Sequence, residues 1–231
     1  MSKKKYAVIG IGQFGRAIAT SLANKGAEVM AIDQDEDIID SIADEVSVAV
    51  AMDATDKKAL LSQNINEFDA VVIAIGQDFE QRLLCTTILM ELNIPRIITR
   101  SMGPNQQKIL EKIGAIEILC PEDEVGIIVA ERLLNPNILS YLQLPDEFKI
   151  AEIISPKNIV NRSLKDIDLR NRYKINLITI KKEISLLRNN VQITEQHIIG
   201  VPSYDTIIKE NDTLIVFGRN KDIEKFIEIN Q

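Results

Sequence analysis

The stretch Tyr6-Ala7-Val8-Ile9-Gly10-Ile11-Gly12-Gln13-Phe14-Gly15 constrains the fold more than any other, because it runs from an apolar β-branched segment straight into a helical pattern over Arg16 to Lys25. Strand, glycine turn and helix start follow one another without a break. Each glycine has its own reason: Gly10 permits the tight turn, Gly12 lets the backbone approach a pyrophosphate, and Gly15 lets the helix lie close to the strand. The N–H groups of the helix start then face the anion. A second apolar run, Glu28 to Ile32, ends on Asp33, 18 residues beyond Gly15. That is near the spacing of about 20 at which a carboxylate takes the ribose hydroxyls of a dinucleotide.

From Lys5 to Leu119, short β-branched runs alternate with longer amphipathic stretches, the pattern of βαβ units feeding a buried parallel sheet. Six strands are expected: Lys5 to Ile9, Glu28 to Ile32, Ser47 to Ala51, Ala70 to Ile75, Arg96 to Arg100, and Ile116 to Leu119. Helices fall near Gly12 to Lys25, Glu36 to Ala43, Asp56 to Ser62, Phe79 to Leu92, and Pro104 to Ile113. Right-handed crossovers make this a doubly wound α/β sheet of Rossmann type, order 3-2-1-4-5-6.

The next helix, Pro121 to Leu134, is apolar on two stripes, one marked by Val125, Ile128 and Val129 and the other by Ile127, Ala130 and Leu134. A helix apolar on two sides is buried on two sides. Asn135-Pro136-Asn137 breaks it, and Ile138, Leu139, Tyr141, Leu142 and Leu144 continue the apolar surface. Two readings remain: a helix sandwiched within its own domain, or a crossover that packs on a neighbouring chain, which the continuing surface favours. Beyond Pro145 the chain becomes a small α+β module, with strands at Lys149 to Ile154, Ile175 to Lys181, Ile184 to Leu187 and Thr213 to Phe217, and short helices at Ser163 to Asp168 and Lys221 to Glu228. The expected organisation is a nucleotide-binding domain over 1–120, crossover helices over 121–144 and a C-terminal domain over 145–231.

A net charge of -7, with only Lys3-Lys4-Lys5 as a tight basic run, argues against nucleic acid or an anionic membrane as the main partner. Cys85 and Cys120 make no disulfide framework or zinc pattern and are expected buried as small apolar residues in a reducing compartment. No apolar run reaches about 18 residues, so a cytoplasmic protein is expected.

Asp33 fits a carboxylate on ribose hydroxyls and would repel a 2′-phosphate; the alternative is a helix N-cap or solvated turn residue, a role Asp35 or Asp37 could fill instead. Asp53-Ala54-Thr55 ends the third strand, where adenine would lie, and Ile75-Gly76 ends the fourth, where backbone must approach the nucleotide; each is equally an ordinary helix start. Arg100 ends the fifth strand at the same edge, as a phosphate contact or a surface arginine. Pro121-Glu122-Asp123-Glu124 puts three carboxylates in one helical turn, complementing the dipole or meeting a hard cation such as Mg²⁺ or Ca²⁺. The single histidine, His197, reads as a surface loop residue far along the chain, so no acid–base partner for hydride transfer stands near the glycine turn. The pattern is that of a binding site rather than an enzyme.

These residues resemble the RCK (regulator of K⁺ conductance) proteins with TrkA-N and TrkA-C domains, the cytoplasmic gating subunits of Ktr and Trk-type potassium uptake systems. The carriers of the resemblance are Val8 to Gly15, Asp53-Ala54-Thr55, Val72-Ile73-Ala74-Ile75-Gly76, Leu110 to Ala115 and Pro121-Glu122, and it spans nearly the whole chain. It implies an N-terminal domain that binds ATP or ADP, a crossover helix that forms a homodimer, and dimers assembled into an octameric ring beneath a potassium-translocating membrane subunit. It also implies a phosphate loop at Gly10, Gly12, Gln13, Phe14 and Gly15, a ribose ligand at Asp33, an adenine region at Asp53, Ala54 and Thr55, a close backbone approach at Ile75 and Gly76, a phosphate contact at Arg100, and a cation (Mg²⁺, Ca²⁺ or Na⁺) at Glu122. Gln13 stands where Ktr-type members usually carry an arginine, and Met52 where a glycine is often seen. An uncharged Gln13 suits a diester pyrophosphate, which makes NAD⁺ or NADH the alternative ligand. Some relatives bind cyclic di-AMP in the C-terminal domain, in the segment that here holds Arg170, Asn171 and Tyr173.

Overall fold

The structure, a computed structural model, describes residues 3–188 and 191–231. It divides into two units after Val125.

The first unit alternates strands and helices: β1 (Lys5–Ile9), α1 (Gln13–Asn24), β2 (Glu28–Asp33), α2 (Glu36–Ile42), β3 (Val48–Ala51), α3 (Lys57–Ser62), β4 (Ala70–Ile73), α4 (Phe79–Glu91), β5 (Ile97–Arg100), α5 (Pro104–Lys112) and β6 (Glu117–Leu119). All six strands pair in parallel in the order β3-β2-β1-β4-β5-β6, as the doubly wound reading requires. Successive residues of β1 feed opposite layers. Ala7 and Ile9 join Ile73, Leu60, Cys85 and Leu89 on one face, while Val8 joins Ala19, Ile39, Ile42 and Val72 on the other. Burial on both faces is why these strands are continuous apolar runs in place of alternating ones. β4 leaves the ladder at Ile73, two residues before the expected end, which frees Ile75 and Gly76 to turn across the sheet edge.

Helix α6 (Pro121–Leu134) follows, and the division between units falls within it. None of its residues is buried in the chain, with Ile127 at 64% and Leu133 and Leu134 at 78% exposure. The helix is therefore not sandwiched within its own domain.

The second unit contains β7 (Ile138–Gln143), β8 (Phe148–Ile154), α7 (Leu164–Ile167), α8 (Leu169–Tyr173), β9 (Asn176–Arg188), β10 (Val191–Ile198), β11 (Thr213–Arg219) and α9 (Asn220–Asn230). The strands form one antiparallel sheet, order β10-β9-β11-β8-β7. Residues 138–143, expected within the crossover helices, are instead strand β7 paired with β8. The register shifts between Ile138 and Ser140, so the inward residues Ile138 and Tyr141 stand three apart, a helical spacing, and the strand is hidden in sequence. Two expected strands merge into the single β9, because Lys182 and Glu183, which stood between them, pair with His197 and Gln196 of β10. Strand β10, which pairs along β9, was not expected, and it carries His197, which is therefore a strand residue and not a loop one. Ile223, Phe226 and Ile227 give α9 a stripe at helical spacing that closes the core against Ala151, Ile153, Leu214 and Val216.

Lys149 lies in this unit with only 2% of its side chain exposed. Its Nζ is 3.3 Å from Glu131 Oε1 of α6 and 3.3 Å from Glu224 Oε1 of α9, and 5.8 Å from the centre of the Tyr141 ring. Truncating such a cation leaves two carboxylates facing each other. Lys149→Ala is expected to destabilise the second unit by about 2–3 kcal/mol, below the full cost of breaking a buried pair because both glutamates keep some solvent. The shift in denaturant midpoint checks this, and an unchanged midpoint would contradict it.

Candidate functional site

The site is built at the carboxyl edge of the parallel sheet, where the turns after β1, β2, β3, β4 and β5 converge in an open α/β sheet. Gly10 sits at φ +87°, a left-handed conformation that favours glycine, and an added Cβ there would lie 2.8 Å from the Ile75 nitrogen. At Gly15 an added Cβ would lie 1.8 Å from the Gly10 carbonyl oxygen, so α1 can start against this turn only with glycine. Gly12 is different. No atom of the protein lies within 4 Å of the Cβ it would carry, and its φ of -63° is open to any residue. The space over Gly12 is therefore clear for a ligand.

The start of α1 is also unsatisfied. Helices α2, α3 and α4 are capped by the carboxylates of Asp35, Asp56 and Asp78, whereas α1 begins at Gly12 with no side-chain cap and no acid in its first turn. Its free N–H groups and dipole suit an anion. Gln13 is exposed as the first residue of α1, and the partly buried Phe14 follows it.

Asp33 is not a helix cap, since Asp35 does that work. Its Oδ2 accepts the Ile11 N–H at 2.6 Å and its Oδ1 the Asp35 N–H at 3.1 Å, which fastens the end of β2 to the glycine turn. Each oxygen keeps a lone pair for a hydroxyl. Asp53 accepts the Thr55 N–H at 2.8 Å and its hydroxyl at 2.7 Å. The backbone bond from Thr55, followed by the hydroxyl and the Gln34 side chain, holds the Asp53 carboxyl below its ordinary value. Ala54 is buried beneath this turn. Asp56, not Asp53, caps the helix that follows.

Arg100 is not an isolated surface arginine. Its guanidinium carbon is 5.2 Å from the centre of the Phe14 ring, it pairs with Glu122 in the first turn of α6, and its Nη1 is 3.7 Å from where a Cβ on Gly76 would be. Arg82 is a residue that sequence reasoning missed. It is fully buried, donating from Nη1 to the carbonyls of Ile75 at 2.5 Å and Gly76 at 3.0 Å and from Nη2 to Gln106 Oε1 at 2.6 Å. The signal was present: Arg82, Cys85, Thr86 and Leu89 share one buried stripe of α4, so the spacing puts a charge on a core-facing position. The Nε atoms of both arginines are buried without a partner. An open cradle over Gly12, an uncapped helix start and the Arg100 guanidinium beside Phe14 fit the phosphates of a nucleotide.

The cation expected at Glu122 belongs, by the resemblance, between the two nucleotides of a dimer, which a single chain does not contain. Glu122 pairs with Arg100, and among the described residues no three His, Cys, Asp or Glu side chains gather at a point. Of the two cysteines, Cys85 is buried, which pushes its thiol up to about 12, but Cys120 is only half-buried, with Sγ 3.7 Å from Gln107 Oε1. In the second unit, Arg170, Asn171 and Tyr173 lie on α8; Asn171 donates to Asp168 Oδ1 at 2.8 Å and Tyr173 packs edge-on against Phe226. His197 Nε2 is 3.5 Å from Glu195 Oε2.

Residues 6–121 match the TrkA-N domain and residues 149–231 the TrkA-C domain. The chain is 35% identical over 224 residues to Ktr system potassium uptake protein C of Bacillus subtilis, covering 97% of this chain and 96% of that protein. It is 34% identical over 226 residues to Ktr system potassium uptake protein A of the same organism, covering 98% and 96%. The chain belongs to this TrkA-N/TrkA-C family of Ktr potassium uptake proteins. Solved structures share the fold of the family member: the GsuK channel bound to NAD, at TM-score 0.54 and 19% identity over 100% of this chain and 39% of that one, and GsuK bound to ADP, at 0.50 and 24% over 58% and 34%. Among the described residues of this Ktr relative, no helix is long and apolar enough to cross a membrane.

The two glycines of the turn predict opposite outcomes. Gly15→Ala is expected to cost about 3 kcal/mol of stability, since its methyl would overlap backbone that cannot yield. Gly12→Ala should keep the parent melting temperature yet weaken adenine nucleotide binding at least about tenfold. Thermal melts beside calorimetry separate them, and equal effects on stability would contradict the assignment.

Proposed function

We propose that this chain is the cytoplasmic, nucleotide-sensing regulatory subunit of a Ktr/Trk-type potassium uptake system, working beside an integral-membrane potassium-translocating subunit. The observation that carries the reading is the open cradle over Gly12, above an uncapped helix and beside Arg100. An adenine nucleotide fits it with its phosphates at Gly10, Gly12, Gln13, Phe14 and Gly15, its ribose on Asp33, and its base near Asp53, Ala54 and Thr55. Ile75 and Gly76 form the wall opposite, and Arg100 supplies charge. ATP and ADP are the proposed ligands, and their exchange acts by differential affinity for two shapes of the assembly, since a ligand moves such an equilibrium in no other way. The names of the relatives support the potassium system, and the fold shared with the ADP-bound GsuK structure supports the nucleotide.

Within this reading, residues 1–120 bind the nucleotide, α6 is the crossover helix, and the C-terminal domain starts with β7 and continues through 145–231. The exposed Val125, Ile127, Ile128, Val129, Leu133 and Leu134 of α6 support a homodimer, the unit of an octameric ring. A second reading, NAD⁺ or NADH as ligand, is favoured by the uncharged Gln13 and by the NAD-bound GsuK channel.

Calorimetry on nucleotide-free protein is expected to show binding of ATP and ADP, weakened at least about tenfold by Asp33→Ala, which removes both the ribose acceptor and the brace on the turn. Absence of binding at millimolar nucleotide would overturn the reading. For assembly, Ile128→Asp is expected to reduce the particle mass measured by light scattering, because a charge cannot be buried unpaired in an apolar interface. An unchanged mass would contradict the dimer helix.

A further inference from the structure

We propose that Arg82 is a positioning residue of the nucleotide site, whose buried charge and grip on the Gly76 corner aim Arg100 at the glycine turn and select ligands that end in a phosphate monoester. The inference rests on the nucleotide reading above and extends it to a residue outside the fingerprint.

A buried cation is retained in a core only if something compensates it. For Arg82 the hydrogen-bond partners are two carbonyl oxygens and one amide oxygen, none of them a carboxylate, and its guanidinium carbon lies 5.5 Å from the centre of the Phe79 ring. Its Nε has no partner at all. Burial, and after it the charge of Arg100, holds the Arg82 guanidinium below its ordinary value, while the Asp78 carboxylate acts in the opposite direction to a smaller extent. Two like charges thus flank Gly76: Arg82 donates to its carbonyl at 3.0 Å, and Arg100 Nη1 is 3.7 Å from its would-be Cβ. Repulsion from the buried member drives the other away from the core, and Arg100 lies against Phe14 of the glycine turn. Glu122 pairs with Arg100, and no carboxylate pairs with Arg82, which leaves one guanidinium charge beside Gly76 without a direct counter-charge.

Arg82 also sets the corner itself. Gln106 Oε1, which receives its Nη2, accepts the Met102 N–H at 3.0 Å, so one side chain ties the turn after β4 to the turn after β5. The two turns that flank the phosphates are held at a fixed separation by a cation. A phosphate monoester carries close to two negative charges at neutral pH, whereas each phosphate of a dinucleotide is a diester with about one. The guanidinium charge beside Gly76 that no carboxylate offsets therefore favours ADP over NAD⁺, although Gln13 adds no charge.

The test compares ADP, NAD⁺ and adenosine by calorimetry on the full chain, for the parent, Arg82→Gln and Arg82→Lys. The parent is expected to bind ADP at least tenfold more tightly than NAD⁺. Arg82→Gln should bring the two within threefold of each other while NAD⁺ and adenosine change less than threefold, and Arg82→Lys, which keeps the charge, should retain a preference of at least fivefold. A merely structural Arg82 would move all three ligands together, and that result would overturn the proposal. So would a lysine variant that behaves like the glutamine one, or a parent that binds both nucleotides without preferring ADP; in that case the nucleotide reading stands and only the role of Arg82 falls. A parent that binds no nucleotide sinks the nucleotide reading itself, and this proposal with it. Should Arg82→Gln fail to fold, the salt dependence of the parent decides: ADP affinity is expected to fall more steeply than NAD⁺ affinity as ionic strength rises, and parallel slopes would overturn the proposal.

Discussion

The Gly10 carbonyl occupies the space where any residue other than glycine at position 15 would place its Cβ, and the rest of the first unit depends on that contact. It lets α1 begin directly against β1, so the helix start faces the sheet edge. Asp33 reinforces the same turn from the neighbouring strand by accepting the Ile11 N–H at 2.6 Å. Turn, helix start and acid are thus held against one another, and a cradle preformed in this way would lose little entropy on binding an anion.

Charge at this edge is arranged as consistently as shape. Acids cap α2, α3 and α4, while α1, like α5, is left bare, and Arg100 lies against Phe14 at the start of α1. Arg100 also joins this edge to α6, since its partner Glu122 lies in the first turn of that helix. An anion at Arg100 would compete with Glu122 for one guanidinium and so act on the first turn of α6. The apolar length of α6 beyond that turn is exposed in the single chain.

Much of this was legible in the sequence. The six parallel strands and their order followed from β-branched runs alternating with amphipathic stretches, because a sheet buried on both faces leaves no other pattern. Gly10 and Gly15 were legible because backbone sterics dictate them. What stayed hidden lacks a local signature. A β-bulge gave β7 the spacing of a helix, and pairing with β10 carried β9 through the polar Lys182 and Glu183 that read as a break. The Arg100–Glu122 pair spans 22 residues of sequence, and no window around either residue reveals it. Arg82 was marked by periodicity as core-facing, but only the tertiary structure shows the carbonyls of Ile75 and Gly76 that receive it.

The central claim is that an adenine nucleotide lies over Gly12 with its sugar on Asp33. A crystal structure of the chain grown with saturating ADP tests it most directly. The account predicts density for the diphosphate against the first turn of α1, within hydrogen-bonding distance of the Gly12-to-Gly15 amides, and ribose oxygens on the Asp33 carboxylate. A map that leaves this cradle empty at saturating ADP, or that places the nucleotide elsewhere on the chain, would contradict it.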